Sequence, residues 1–510
     1  MTSNSRLSTP RRYSLTSIGL AITLLSLANP AQTNQEAKAA TKKTATNENV
    51  AVPEGRKAVK FYHDNTLPEK TEDEQRLSKD IPVYPVDPVD RLRPLLELGD
   101  PFLGNGPIKP GIKTPTGQVL QPTFLLFGSF RSAFQSFDDD GKSTVEWANR
   151  LNLNGNLNFS GTERLVFSLR PLDSRNGAYT GYSFDSPPAN KNGWHEGFNT
   201  ALTRLYFEGE LGEIFPGLDP SDSHTYDLGF SVGRQLLQAQ NGTLINDVVD
   251  SVGITRNSLV FKGISNLRIT GLYGWDHINR GNNDQSFNNN THSADLLALF
   301  TEADTALNNT VDLDLVYIRD KRDENAWYIG AASTQRLAGW LNSTFRINAS
   351  HPENKESAVV GDGVLLFSQL SATLPSTDNL AYFNTFWNLD RYTSASRSPD
   401  QGTPVANIGL LYAPVGLGRY GVPLGQSIDK TVGTAIGYQM FLDGIDKQLI
   451  FELGARTSTR SSVDASAIGF GARYQQTIGK HHVLRLDSFV VGQERENVSY
   501  GVRTEWMVNF

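Results

Sequence analysis

From about residue 120 to its last residue the chain repeats one pattern. Stretches of roughly ten residues alternate apolar and polar side chains, with turn residues between them. The last stretch is the clearest. Tyr500, Val502, Thr504, Trp506, Val508 and Phe510 fall on one parity; Gly501, Arg503, Glu505, Met507 and Asn509 fall on the other. A period of two gives a strand two faces, and here one is apolar and aromatic while the other is charged. Val145, Trp147, Leu151 and Leu153 likewise oppose Glu146, Arg150 and Asn152. Leu313 and Leu315 oppose Asp312 and Asp314, and Leu484 and Leu486 oppose Arg485 and Asp487. Soluble β-proteins rarely set an apolar face against a charged one in so many strands.

If the apolar face meets lipid, every backbone polar group must be bonded between strands, so the sheet must close. The expected fold is therefore all-β: a closed antiparallel transmembrane β-barrel over residues 118–510. At about 20–24 residues per strand and connection it has about 16–18 strands. Short connections at Gly161–Glu163, Asp443–Lys447 and Gly479–His482 suit periplasmic hairpins. Long polar ones at residues 174–198, 279–291, 394–403 and 414–430 suit the outer side. Trp147, Trp275, Trp387, Tyr474 and Trp506 are placed for aromatic girdles at the two lipid interfaces. A propeller or a solenoid would carry an internal repeat, and none is visible.

The first residues read as a targeting signal. Arg6, Arg11 and Arg12 precede the short apolar run Leu15–Ala28, with small residues at its end. Residues 1–28 are expected to be a cleaved signal peptide. Their loss removes three arginines and no acids, taking the charge from −7 to 44 − 54 = −10. Residues 29–60 read as a disordered linker. Residues 61–117 are proline-rich: a periplasmic extension or a segment in the barrel mouth, with one or two helical turns around Arg91–Leu98. The chain has no cysteine and no polybasic tract, which excludes thiolate chemistry and argues against nucleic-acid binding.

The inward parity is where solutes would be met. It holds Arg131, Arg150, Arg164, Arg170, Arg204, Arg268, Arg346, Arg456, Arg473, Arg485 and Arg503, with acids such as Glu146, Glu208, Asp314, Glu452, Asp487 and Glu505. Arginines lining a pore attract anions through forked hydrogen bonds. The alternative is that they pair across strands and brace the wall, as the spacings Arg485/Asp487 and Arg503/Glu505 suggest. Arg234 breaks the parity of its strand, so a bulge or a strand end is expected there. Arg234 and Arg256 join the other arginines as solute-binding candidates. No metal or cofactor is expected. Asp138–Gly141 and Asp219–Asp227 read as solvated loops rather than calcium sites. His292 with Asp295 is a poor basis for an outer-membrane hydrolase.

The terminal strand, with Tyr500, Trp506, Val508 and the closing Phe510, resembles the sorting signal of Gram-negative outer-membrane β-barrels. That resemblance implies a porin in the outer membrane, delivered by the barrel-assembly machinery. Its expected partners are outer-membrane lipid, lipopolysaccharide, small hydrophilic or anionic solutes and further copies of the chain. Residues 229–257, with Gly233-Arg234-Gln235 and Asn246, Asp247, Asp250, Arg256 and Asn257, resemble a segment of the alginate-export porins. That second resemblance implies a channel for acidic oligosaccharides. The expected mechanism is passive diffusion through a charged lumen, the specific channel being the alternative.

Overall fold

The computed structural model describes residues 91–100, 111–173, 178–188, 192–218, 225–281, 294–426, 428–460 and 466–510. The signal peptide, the linker, most of the proline-rich segment, His292 and part of Asp219–Asp227 lie outside the described residues.

Tight turns set the pairing. At Asp140-Gly141 both residues have positive φ (53° and 75°), which matches the twist of a two-residue hairpin, and Asp443-Gly444 (51° and 67°) open the four-residue turn that pairs Leu442 with Lys447. Gly141 N donates to Asp138 Oδ1 at 2.7 Å, so the acidic run at 138–140 builds a turn. Between such turns run eighteen wall strands. They are β1 (Thr123–Asp139), β2 (Lys142–Asn158), β3 (Arg164–Leu169), β4 (Leu202–Glu210), β5 (Leu228–Ala239) and β6 (Ile245–Phe261). Next come β7 (Ile264–Asp276), β8 (Ala294–Thr305), β9 (Asn309–Asp320), β10 (Ala326–Leu337), β11 (Leu341–Pro352) and β12 (Gly363–Thr373). The last are β13 (Leu380–Asp390), β14 (Thr431–Leu442), β15 (Lys447–Ser458), β16 (Ala467–Ile478), β17 (His482–Gln493) and β18 (Ser499–Asn509). β3 covers only half of β2; the strand Thr180–Asp185, from the following connection, pairs with the other half.

Each strand pairs antiparallel with the next, and β18 pairs with β1 to close the ring, with Arg503 opposite Gln135 and Met507 opposite Arg131. The last residue belongs to this seam: Phe510 N donates to Gly128 O at 3.0 Å, and Gly128 N donates to Phe510 O at 2.7 Å. Twelve-residue strands, rising about 3.4 Å per residue and tilted about 40–45°, span roughly 30 Å, the thickness of a bilayer core. The two parities separate as read. Val502 and Trp506 are 60% and 43% exposed on the outside, while Arg503 and Glu505 are 2% and 0% exposed on the inside. Trp147, Trp275 and Trp387 are exposed on the outer surface too. This is the architecture of an outer-membrane β-barrel.

Two readings are corrected. Leu96–Leu98 forms a strand, not a helical turn, and pairs with Phe124–Leu126 of β1. β1 extends past the end of β18 there, and a Leu-Glu-Leu alternation covers the exposed edge. The second correction concerns residues 391–430, which are one connection between β13 and β14 rather than two polar outer loops. This connection carries Val405, Ile408, Leu411, Tyr412, Leu424 and Ile428, all buried, packed against inward residues such as Phe367, Phe386 and Phe489. It folds into the barrel because that apolar run has no other place to leave water. A second buried cluster joins Leu244, Ile278, Val359, Val360 and Ala395, from four connections, to inward Val316, Ile318 and Tyr328.

Candidate functional site: the lumen and its inserted loop

The inserted connection is fixed to the wall on many sides. Near its start, Ser396 pairs with Ile245 and Arg397 with Asn246 in a short parallel bridge to β6. Ser396 Oγ donates to Asp247 Oδ2 at 2.5 Å, and Asn279 N donates to the same oxygen at 2.9 Å. Arg397 donates to the carbonyls of Gly242 and Gln401. Its complete burial lowers its pKa to about 10. Midway, Arg170 Nη1 donates to Asp400 Oδ2 at 2.6 Å, joining wall to loop. Asn407 donates to Asn241 O, which joins the loop to the β5–β6 connection.

Two buried carboxylates of the wall hold the rest. Glu452 of β15 accepts from the backbone N–H groups of Leu410 and Leu411, each at 2.7 Å, and from Tyr382 Oη. Gly409 permits this approach: a Cβ there would lie 2.2 Å from Glu452 Oε2. Gly409→Val will therefore displace the loop and cost about 1–3 kcal/mol by overpacking, read as a lowered unfolding temperature. Glu146 of β2 collects four donors: Gln135 Nε2 and Arg419 N at 2.6 Å, Arg419 Nε at 2.8 Å and Tyr179 Oη at 2.6 Å. Burial, and then the bond to Glu146, raises the Tyr179 pKa to about 12. Arg419 also donates to Ser183 and Ser186, at 2.8 Å each. Tyr420 beside it packs edge-on to Phe137 and Phe489.

Most of the arginines read from the sequence face the lumen, and most are paired. Arg503 meets Asp487 at 2.9 Å and Glu505 at 2.6 Å; Arg473 meets Asp487 at 2.6 Å; Arg485 meets Glu505 at 3.2 Å; Arg131 pairs with Glu505 as well. Arg150 and Arg170 share Asp173, Arg164 pairs with Glu208, and Arg268 pairs with Glu302. Arg346 donates to Gln369, Arg456 to Leu424 O, and Arg204 stands opposite Ser168. The expected pairing within Arg503/Glu505 is present, whereas Arg485 reaches past Asp487 to Glu505.

The balance differs between opposite walls. On β16–β18 and β1, Arg131, Arg473, Arg485 and Arg503 face Asp487 and Glu505, giving 4 − 2 = +2. On β7–β11, the cluster of Arg268 and Arg346 with Glu302, Asp304, Asp312 and Asp314 gives 2 − 4 = −2. Beside the acidic cluster lies a cavity of about 680 Å³ bordered by Glu208, Gln235, Arg268, Glu302, Asp312 and Asp314. The arrangement can hydrate a polar solute and orient its charges across the pore.

Arg234 and Arg256 are elsewhere. Arg234 shares the outward parity of Val232 and Leu236 and forks onto Asp250 at 2.8 and 3.0 Å, with His277 at 3.2 Å. Arg256 shares the parity of exposed Ile254 and donates to the carbonyls of Thr225 and Asp227. The irregularity expected at Arg234 falls one strand pair further on, where the β6–β7 register shifts between Asp250 and Ser251. The residues that the sequence reading missed are the anchors of the inserted loop: Asp400, Arg419 and, in this role, Glu452 and Glu146. Their signal was Ile408–Leu411, an apolar run amid glycines and prolines between the two stretches expected as polar outer loops.

No protein-family model and no curated protein matches the chain. Solved structures that resemble it include Pseudomonas aeruginosa proteins. OccK11 (OpdR) has 12% identity and a TM-score of 0.49, covering 76% of this chain and 96% of that one. OpdL has 13% identity and a TM-score of 0.49, covering 76% and 98%. The outer membrane protein OpdK has 12% identity and a TM-score of 0.48, covering 76% and 98%. At these values no residue role passes from them to this chain. Nothing in these comparisons supports the resemblance to alginate-export porins.

Proposed function

We propose that this outer-membrane β-barrel is a porin, passing small hydrophilic solutes by diffusion through a lumen narrowed by residues 391–430. The observation that carries this reading is the lumen: a closed wall with charged inner side chains and clusters of opposite excess, beside a cavity lined largely by polar groups. A channel dedicated to acidic oligosaccharides would continue its arginines through residues 229–257, and Arg234 and Arg256 face outward instead. General diffusion is therefore favoured. The test is single-channel conductance in a planar bilayer, with selectivity from the reversal potential in a salt gradient. Stepwise ohmic currents support the porin; folded protein that carries no current removes it.

The terminal residues Tyr500, Trp506, Val508 and Phe510 serve as the assembly signal in this reading, with the barrel-assembly machinery as partner and lipid or lipopolysaccharide around the wall. Deleting Phe510 removes both of its seam hydrogen bonds to Gly128. It will lower the yield of heat-modifiable barrel in the outer membrane several-fold, and restoring an aromatic residue at 510 will recover it. Equal yields with and without Phe510 would refute the role.

A further inference from the structure

At the end of the barrel that carries the long connections, a pocket of about 580 Å³ opens between the two ends of the inserted loop. Its wall mixes Tyr412, Val422 and Ile428 with four glycines. Among the described residues, two charged ones border it, Arg391 and Asp429. They stand 3.8 Å apart, Nε to Oδ2, and both side chains are partly exposed, 38% and 47%. That separation lies beyond hydrogen-bond reach. Arg391 is positioned independently of Asp429, because its Nη2 donates to Ala358 O at 2.5 Å. The pair thus presents a donor fork and an acceptor side by side, each with unused capacity, next to an apolar surface.

We infer that this pocket is a capture site for a small zwitterion with an apolar side chain, of the α-amino acid class. The carboxylate of the solute lies on the free edge of the Arg391 guanidinium. Its ammonium donates to Asp429, and its side chain rests against Tyr412, Val422 and Ile428. A solute carrying both charges replaces the long ion pair with two hydrogen-bonded ones, whereas a solute with one charge satisfies one partner and competes with the other. The site's role as a feeder of the pore rests on the porin reading; its binding chemistry does not.

The test uses the full barrel in detergent and, in parallel, in a bilayer. L-leucine is the probe, with 4-methylpentanoate (carboxylate alone) and isopentylamine (ammonium alone) as comparisons. Binding is followed by saturation-transfer NMR and calorimetry. Leucine will bind saturably and each one-charge analogue about tenfold or more weakly; Asp429→Asn will weaken leucine by a similar factor. Arg391→Gln provides a second variant and will restore relative preference for the amine. Three results overturn the inference: no saturable leucine binding, an analogue that equals leucine, or an Asp429→Asn barrel that binds leucine like the parent. A barrel that binds leucine but carries no current overturns the porin reading and leaves the site standing. One that conducts but does not bind overturns the site alone.

Discussion

Arg419→Ala will open the channel. The substitution removes three side-chain hydrogen bonds, to Glu146, Ser183 and Ser186, that hold the returning arm of the inserted loop against β2. Removing one partner of a fully buried ion pair costs about 3–5 kcal/mol. Here the arginine is 31% exposed and Glu146 keeps Gln135 and Tyr179, so about 1–3 kcal/mol is the fitting range. Each 1.36 kcal/mol is tenfold in an equilibrium, so the arm will leave the wall about 10–100 times more often. Single-channel records should show larger mean conductance and added open-state noise. Tyr420 still packs on Phe137 and Phe489, so the barrel itself stays folded. Arg419→Lys keeps the charge but loses the fork and should fall between parent and alanine. A variant with the parent's conductance and noise would show that the arm does not limit flow.

The wall of this barrel was legible because its rule is local. Side chains at i and i+2 share a face, and lipid outside with water inside forces the two faces apart, so Arg503, Glu505, Val502 and Trp506 could be assigned from eleven residues. Arg131, Arg150 and Arg473 followed by the same rule. The loop was not legible, because its burial depends on partners far away in sequence. Arg419 meets Glu146, which lies 273 residues earlier, and Asp400 meets Arg170, 230 residues earlier. Nothing near position 419 distinguishes that arginine from a solvated one. The apolar run at Ile408–Leu411 was the one local sign, and a glycine- and proline-rich setting hid it. Arg234 shows the converse. Its break in parity was visible, but it marked an outward ion pair with Asp250 near the strand end, not a place in the channel.

Neutralising Arg131 and Arg485 together will shift ion selectivity toward cations. Both are partly exposed, 15% and 20%, and both meet Glu505, whereas Arg473 (23%) pairs with Asp487, and Arg503 is fully buried and braces Asp487 and Glu505. Changing both to glutamine takes that wall from +2 to 0 and leaves the opposite wall at −2. The two groups together then go from 0 to −2. A unit charge about 4 Å from a permeating ion in water-like dielectric is worth about 1 kcal/mol, on the order of fivefold in local ion occupancy, and less as salt screens it. The anion-to-cation permeability ratio should therefore fall several-fold in dilute salt, and the difference should shrink as salt is raised. Asp312→Asn with Asp314→Asn should move the ratio the opposite way, since it relieves the acidic wall. If both pairs of substitutions leave the reversal potential unchanged, ions do not pass between these walls. The conducting path would then have to be sought along the other face of the inserted loop.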